Sequence, residues 1–303
     1  MRSVRVEPSV YFGNPGSYVK MPWPRSGMDA PVIRPIFDFE SGSGNHRTST
    51  LIGTPRTYTL NWTALHQSTF DLVNQFYLGL NGPGPFVLID PSRPNLLTPN
   101  QSAAGGAWYD TTDWLMPSTG TLAVNRSASF ILRQFGKRSI QYTSVTGSGV
   151  GLIQLPSPYS SWAGHPVLPG STYTFSYSGT PDGTVDSSIS NVAQMLWYTA
   201  GGIFISTSAG SAGNLAGWQK YSVSAVAPPN AAYVLPTIQI DLSTMVVGSS
   251  FYVDMLQLEM DSRVNDWAPG TGINPVSIMS FNESMSFDAL FRVGPSLTLQ
   301  EVK

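Results

Sequence analysis

The chain has 303 residues, of which 41% are hydrophobic and only 11% charged, with a formal net charge of −2 and no cysteine. At ~100–200 residues per domain this length suggests two units, each large enough to bury its own core. The lack of cysteine excludes disulfides, thiolate catalysis and sulfur-ligated zinc, and the scattered Lys and Arg residues offer no footprint for nucleic acid or an anionic membrane.

In chain order, residues 1–10 mix Arg2, Arg5 and Glu7 with Val4 and Val6, which lacks the apolar core of a secretory signal. No stretch approaches the ~18 apolar residues of a bilayer span; runs such as Phe86-Val87-Leu88-Ile89 are short. Period-two alternation begins at Tyr58, Leu60 and Trp62, spaced by Thr59 and Asn61, and predicts a half-buried strand. A helix is expected over residues 68–79, with Ser68 as its cap and Asp71 three residues on. Phe70, Val73, Phe76/Tyr77 and Leu80 recur at helical spacing before Gly79-Leu80-Asn81-Gly82 ends it. A run over residues 86–90 follows, so this helix should cover one face or end of a sheet.

After Pro94 the texture changes to Ser, Gly, Thr, Tyr and Trp with few charges, and the strands resemble those of a sandwich. Tyr173, Phe175 and Tyr177 alternate with Thr174 and Ser176, and Phe251, Val253 and Met255 repeat the pattern. Alternation resumes after Pro269-Gly270-Thr271-Gly272 through Met285, Phe287, Ala289, Phe291 and Val293. Fewer than ~40 residues cannot make an independent core. The closing segment is therefore expected to pair with strands of the first ninety-odd residues. The predicted organisation is a discontinuous body, residues 1–94 and 273–303, with residues 95–272 inserted as a second domain. The chain as a whole is expected to be mainly β with one α-helix.

Arg56-Thr57-Tyr58-Thr59-Leu60-Asn61-Trp62, the helix with Phe70-Asp71, and Gly82-Pro83-Gly84-Pro85-Phe86-Val87-Leu88-Ile89-Asp90-Pro91 together resemble the amino-terminal domain of distal tail and related minor tail proteins of long-tailed bacteriophages. Asn95-Leu96-Leu97-Thr98-Pro99-Asn100-Gln101-Ser102 is similar to the join at which such proteins admit an extra module. Within the middle segment, Gly136-Lys137-Arg138-Ser139, Leu168-Pro169-Gly170-Ser171-Thr172-Tyr173, Gly217-Trp218-Gln219-Lys220-Tyr221 and Tyr252-Val253-Asp254-Met255-Leu256-Gln257-Leu258-Glu259 are similar to jelly-roll carbohydrate-binding modules. The resemblance implies a tail-tube-like β-sandwich or barrel carrying an inserted jelly roll. It also implies a homo-oligomeric ring, often a hexamer, at the virion tail tip, joining the tail tube protein to baseplate or hub proteins. Such a particle would be assembled in the host cytoplasm, and its peripheral module could hold a host cell-wall glycan.

An enzyme would need an activated nucleophile or a pair of carboxylates at a set separation. There is no serine elbow and no His-x-x-x-His pair, and His46, His66 and His165 are expected to be structural. Asp110, Asp113, Asp254, Glu259 and Asp261 are nominal glycosidase carboxylates, but loop acids are mostly solvated. Gly147-Ser148-Gly149-Val150-Gly151 lacks the lysine and following helix of a phosphate cradle. A non-enzymatic protein is expected.

Sugar binding needs exposed aromatic rings with amides or carboxylates beside them. Trp108, Trp114, Trp162, Trp197, Tyr198 and Trp218 form the aromatic pool, with Trp218 and Trp267 assigned to structure. Trp197 or Tyr198, on opposite faces of one strand, is the platform candidate, with Gln194 and Gln239 as polar neighbours. Asp254, within an apolar run, either has a cation, an arginine or several donors for company or lies on an exposed strand face. The resembled modules often hold a structural calcium near such a position, which makes Asp254 the metal candidate; no other cofactor is expected. Two alternatives stay open, a free carbohydrate-binding or glycan-hydrolysing protein and another tail subunit such as a tube or fibre adaptor.

Overall fold

The computed structural model describes residues 9–25, 36–40, 46–50, 55–103, 116–117, 122–126, 134, 139–144, 149–159, 161–181, 189–214, 217–284 and 290–302. It is mainly β, as expected. In chain order the elements are β1 (Ser9–Asn14), β2 (Ser17–Pro22), β3 (Ile36–Glu40), β4 (His46–Thr50), β5 (Thr57–Asn61), β6 (Ala64–His66), α1 (Gln67–Tyr77), β7 (Phe86–Ile89) and α2 (Pro99–Ser102). There follow β8 (Met116–Pro117), β9 (Leu122–Arg126), β10 (Ile140–Ser144), β11 (Val150–Gln154), β12 (His165–Pro166), β13 (Thr172–Pro181), β14 (Ser190–Tyr198) and β15 (Phe204–Ala209). The last are β16 (Gly213–Asn214), β17 (Gln219–Val226), β18 (Tyr233–Asp241), β19 (Ser250–Glu259), β20 (Pro275–Ser284) and β21 (Phe291–Glu301). Two compact units result: Met1–Asn14, Tyr18–Leu88 and Asn274–Lys303 form the first, Pro15–Ser17 and Ile89–Ile273 the second.

In the first unit one sheet runs β2-β1-β7-β20-β21-β5, with β6 also pairing β21. The strands nearest the carboxy terminus thus lie between strands from the amino-terminal third. Leu297 faces Leu60 and Leu299 faces Tyr58 in register, and Val276 faces Phe86. The buried Glu301 carboxylate accepts hydrogen bonds from the Tyr58 hydroxyl at 2.5 Å and the Arg56 N–H at 3.0 Å, tying the last strand to β5. Strands β3 and β4 pair with each other as a separate two-stranded sheet. Of the expected closing alternation, Met285, Phe287 and Ala289 lie outside the described residues.

Helix α1 covers this sheet through Phe70, Val73 and Phe76. Phe76 packs edge-on to Phe12 and Phe86, and Phe70 stacks on Phe281 at 4.7 Å. The N-cap is His66, whose imidazole accepts the Ser68 N–H at 3.3 Å, so Ser68 lies inside the helix and the expected cap is displaced by two residues. A ring nitrogen two residues upstream fills the role a serine oxygen usually has. At the other end Gly79, at φ 74°, lets its own N–H reach the Phe76 carbonyl and the Leu80 N–H reach the Gln75 carbonyl, a Schellman closure. Leu80 consequently turns outward and is 72% exposed instead of continuing the apolar stripe.

The second unit is a jelly-roll sandwich. One sheet runs β17-β13-β19-β10-β9; the other runs β15-β14-β18-β11-β8, with β12 and β16 attached. Tyr173, Phe175 and Tyr177 point into the space between the sheets. There the Tyr177 hydroxyl reaches the Asn191 side-chain oxygen at 2.5 Å and the Tyr173 ring contacts that of Trp197. Strands β13 and β19 are buried on both faces, where alternation had predicted half-buried strands. The Thr174 hydroxyl, on the outer face of β13, lies against the segment after β19, donating to the Asp261 carbonyl at 2.7 Å. Buried Ser and Thr imitate a solvated face when only periodicity is read.

The chain enters and leaves this unit through one stem. Asn95 is fully buried, and its side chain donates to the carbonyls of Leu256 and Ala268 and accepts the N–H groups of Leu97 and Leu258. Backbone bonds from Thr271 N–H to the Asn95 carbonyl and from Gly272 N–H to the Leu97 carbonyl fasten the two ends side by side. The short helix α2, with a reciprocal capping box between Thr98 and Gln101, follows at once. Thr98-Pro99-Asn100-Gln101 carries the capping signature inside the expected join, so the join is helical where only one helix is expected for the chain. Gly270 is obligatory here, because a Cβ would stand 2.3 Å from the Leu97 carbonyl oxygen and 2.4 Å from that of Thr98.

Candidate functional site: the outer face of one sheet

Along β14 burial alternates strictly, so Gln194, Leu196 and Tyr198 face outward while Ala193, Met195 and Trp197 face the core. Trp197 is fully buried, donates its indole N–H to the Ser208 hydroxyl at 2.9 Å and is not a platform. Tyr198 is the member of the pair that reaches the surface.

Register then assembles the rest. Tyr198 lies opposite Phe204 on β15 and Tyr233 on β18, and Gln194 lies opposite Thr237. The Tyr198 and Phe204 rings are 5.8 Å apart in an edge-on pair, and Phe204 is 53% exposed. Trp162 leans over Tyr233 at 6.3 Å and Tyr159 meets Trp162 at 5.0 Å, extending the aromatic row across the strands. Gln194 Nε2 donates to Gln239 Oε1 at 2.6 Å, so the two amides named from the sequence touch each other on the same face as Tyr198. Partial burial raises the Tyr198 phenol above its ordinary value, which keeps it a neutral donor near pH 7.

Phe204 and Tyr233 were missed. For Phe204 the signal was present, since Gly201-Gly202 between two β runs marks a hairpin that returns residue 204 beside residue 198. Trp108 and Trp114 lie outside the described residues. Trp218 and Trp267 are half-buried.

Asp254 sits at a bulge of β19, where three steps from Asp254 to Gln257 oppose two steps of β13 from Ser178 to Ser176. It is fully buried and not on an exposed strand face. Its carboxylate accepts the N–H of Gln134 at 2.9 Å and that of Met255 at 2.7 Å, the latter bond supporting the positive φ of Met255. Among the described residues no three His, Cys, Asp or Glu side chains come together as a metal cage. The company Asp254 keeps therefore includes backbone donors.

Of the other carboxylates, Asp110 and Asp113 lie outside the described residues. Glu259 and Asp261 share the Asn265 side-chain amide at 2.6 and 3.2 Å. The Asn265 amide and the Arg263 N–H hold Asp261 below the usual carboxylate range, the opposite of what a general acid needs. His66 is the helix cap, and His165 is buried against β18 with its proton affinity lowered to about 4 by desolvation. The side chain of His46 is outside the described residues.

No protein-family model matches the chain, and no curated protein matches it significantly. Solved structures similar to it include the enzymatically active domain of bacteriophage CBA120 tailspike protein 4, at 12% identity and TM-score 0.38, covering 57% of this chain and 22% of that one. Another is the CBM22-1 xylan-binding domain of Paenibacillus barcinonensis Xyn10C, at 13% and 0.39, covering 52% and 91%. A third is TmCBM61 in complex with β-1,4-galactotriose, at 13% and 0.36, covering 56% and 100%. The chain spans only 22 to 27% of three longer chains that it matches. Each of these three TM-scores is below 0.5, and the likenesses assign no function.

Proposed function

We propose that the chain is a structural subunit of a bacteriophage tail tip. Its first unit assembles into a homo-oligomeric ring, hexameric in the resembled family, between tail tube and baseplate or hub proteins, and its second unit holds a host-surface glycan on the face around Tyr198. The observation that carries the recognition role is that one sheet face holds both the Tyr198–Phe204 ring pair and, farther along β14 past Leu196, the Gln194–Gln239 amide pair. Rings of this kind stack on the apolar faces of pyranoses while amides satisfy hydroxyls. The protein recognises sugar without cleaving it: Asp261 is held ionised, and Asp254 is taken up by backbone donors.

Ring formation is supported by apolar surface on the first unit, where Tyr77, Leu78 and Leu80 at the end of α1 are 47, 61 and 72% exposed. Clustered exposed apolar side chains mark association surfaces, and head-to-tail contacts close into rings when the rotation allows. Two measurements test the proposal. Light scattering of the purified chain should give a closed multiple of the 32.7 kDa subunit, and a stable monomer at high concentration would refute the ring. Retention on host cell-wall glycan should fall when Tyr198 and Phe204 are replaced by Ala with the fold intact; equal retention would refute the site.

A further inference from the structure

Beyond locating a glycan face, the geometry points to what that face selects. We infer that the Gln194–Gln239 pair reads a vicinal diol of an uncharged sugar, an inference that rests on the glycan-binding reading above.

Each glutamine amide has two N–H donors and an oxygen with two lone pairs. The bond from Gln194 Nε2 to Gln239 Oε1 fixes the two groups against each other. Both side chains are half-buried. Gln194 Oε1 and Gln239 Nε2 carry no hydrogen bond among the described residues. The held pair thus keeps one acceptor and one donor for a ligand. Two hydroxyls on adjacent ring carbons match them, one donating to Gln194 Oε1 while its neighbour accepts from Gln239 Nε2. Such a held pair loses less rotamer freedom on binding than two free side chains would.

The charge of the ligand follows from what surrounds the pair. Strands β11, β14, β15 and β18 contain no Lys, Arg or Glu, and their single Asp, Asp241, is occupied with the Ser243 N–H and hydroxyl at the end of β18. Along these four strands a carboxylated, sulfated or phosphorylated glycan would find no cation. Binding should therefore vary little with salt, unlike the capture of an anionic polymer.

The two glutamines act as one element. Removing either releases the other, so their losses should not add. The test is affinity electrophoresis of the full chain through gels containing xylan, galactan or dextran, with polygalacturonate as the anionic control. The wild type should be retarded by at least one neutral polymer at low and high salt. Gln194→Ala and Gln239→Ala should each weaken that retention about tenfold, and the double variant should be weakened by about the same factor. Gln239→Glu keeps an acceptor for Gln194 but removes the outward donor, and should fall in line with the alanine variants. Wild-type retention in both glutamine variants, with loss in Tyr198→Ala, would overturn the diol reading and leave the glycan face standing. Salt-sensitive retention by polygalacturonate alone would overturn the neutral class. No retardation by any polymer would remove the glycan-binding reading and this inference together.

Discussion

Asn95→Ala should be among the most damaging single changes in the second unit. Its amide uses both donors and both acceptor positions, at 3.0, 2.9, 3.1 and 3.2 Å, in a site with no solvent access. Alanine leaves the N–H groups of Leu97 and Leu258 without that partner and two carbonyls short of one. At roughly 1–2 kcal/mol for each stranded donor and less for each carbonyl, the loss comes to about 3–4 kcal/mol. For a unit of nearly two hundred residues, a shift of ~2–4 °C per kcal/mol makes this a fall of about 10 °C in the melting transition. Scanning calorimetry of the purified variant measures it directly. A fall of less than about 2 °C would show that relaxed backbone or water replaces the amide at little cost, and the stem would not be the fastening described above.

Gly270→Ala should also destabilise the unit, by about 3 kcal/mol or more, because the added methyl meets two carbonyl oxygens that cannot move independently of the stem; a wild-type denaturation midpoint would count against it. Trp197→Ala should cost about 3–5 kcal/mol through an interior cavity, whereas Tyr198→Ala should leave the melt nearly unchanged and act on glycan retention. His165 has its proton affinity lowered from 6.5 to about 4 in the fold. Because the unfolded chain binds that proton more readily, its contribution is complete above pH 6.5 and is lost as pH falls toward 4, up to about 3 kcal/mol. His165→Phe should flatten this part of the stability–pH curve, and an unchanged slope would place the acid sensitivity elsewhere.

Legibility differed from element to element for physical reasons. Helix α1 was visible because Phe70, Val73 and Phe76 repeat at helical spacing, yet its cap was misplaced because His66 looks unlike the usual Ser, Thr, Asp or Asn. The alternation of Tyr173, Phe175 and Tyr177 marked a strand, but not that Thr174 and Ser176 are buried too; a hydroxyl covered by another segment has the same spelling as one in water. At the candidate site, period two was enough to place Gln194 and Tyr198 on one face. It could not choose between Trp197 and Tyr198, since which face points inward is settled by the opposite sheet. That Gln239 touches Gln194 is a matter of register between strands some forty residues apart, which no local pattern encodes.

The stem has a practical consequence. A path of 176 residues returns to within one hydrogen bond of its start, where the Thr271 hydroxyl meets the Asn95 carbonyl. A segment that begins and ends at the same point can be lengthened, trimmed or exchanged without asking the flanking chain to span a new distance. Such a cassette can be replaced as one piece while the strands on either side keep their pairing.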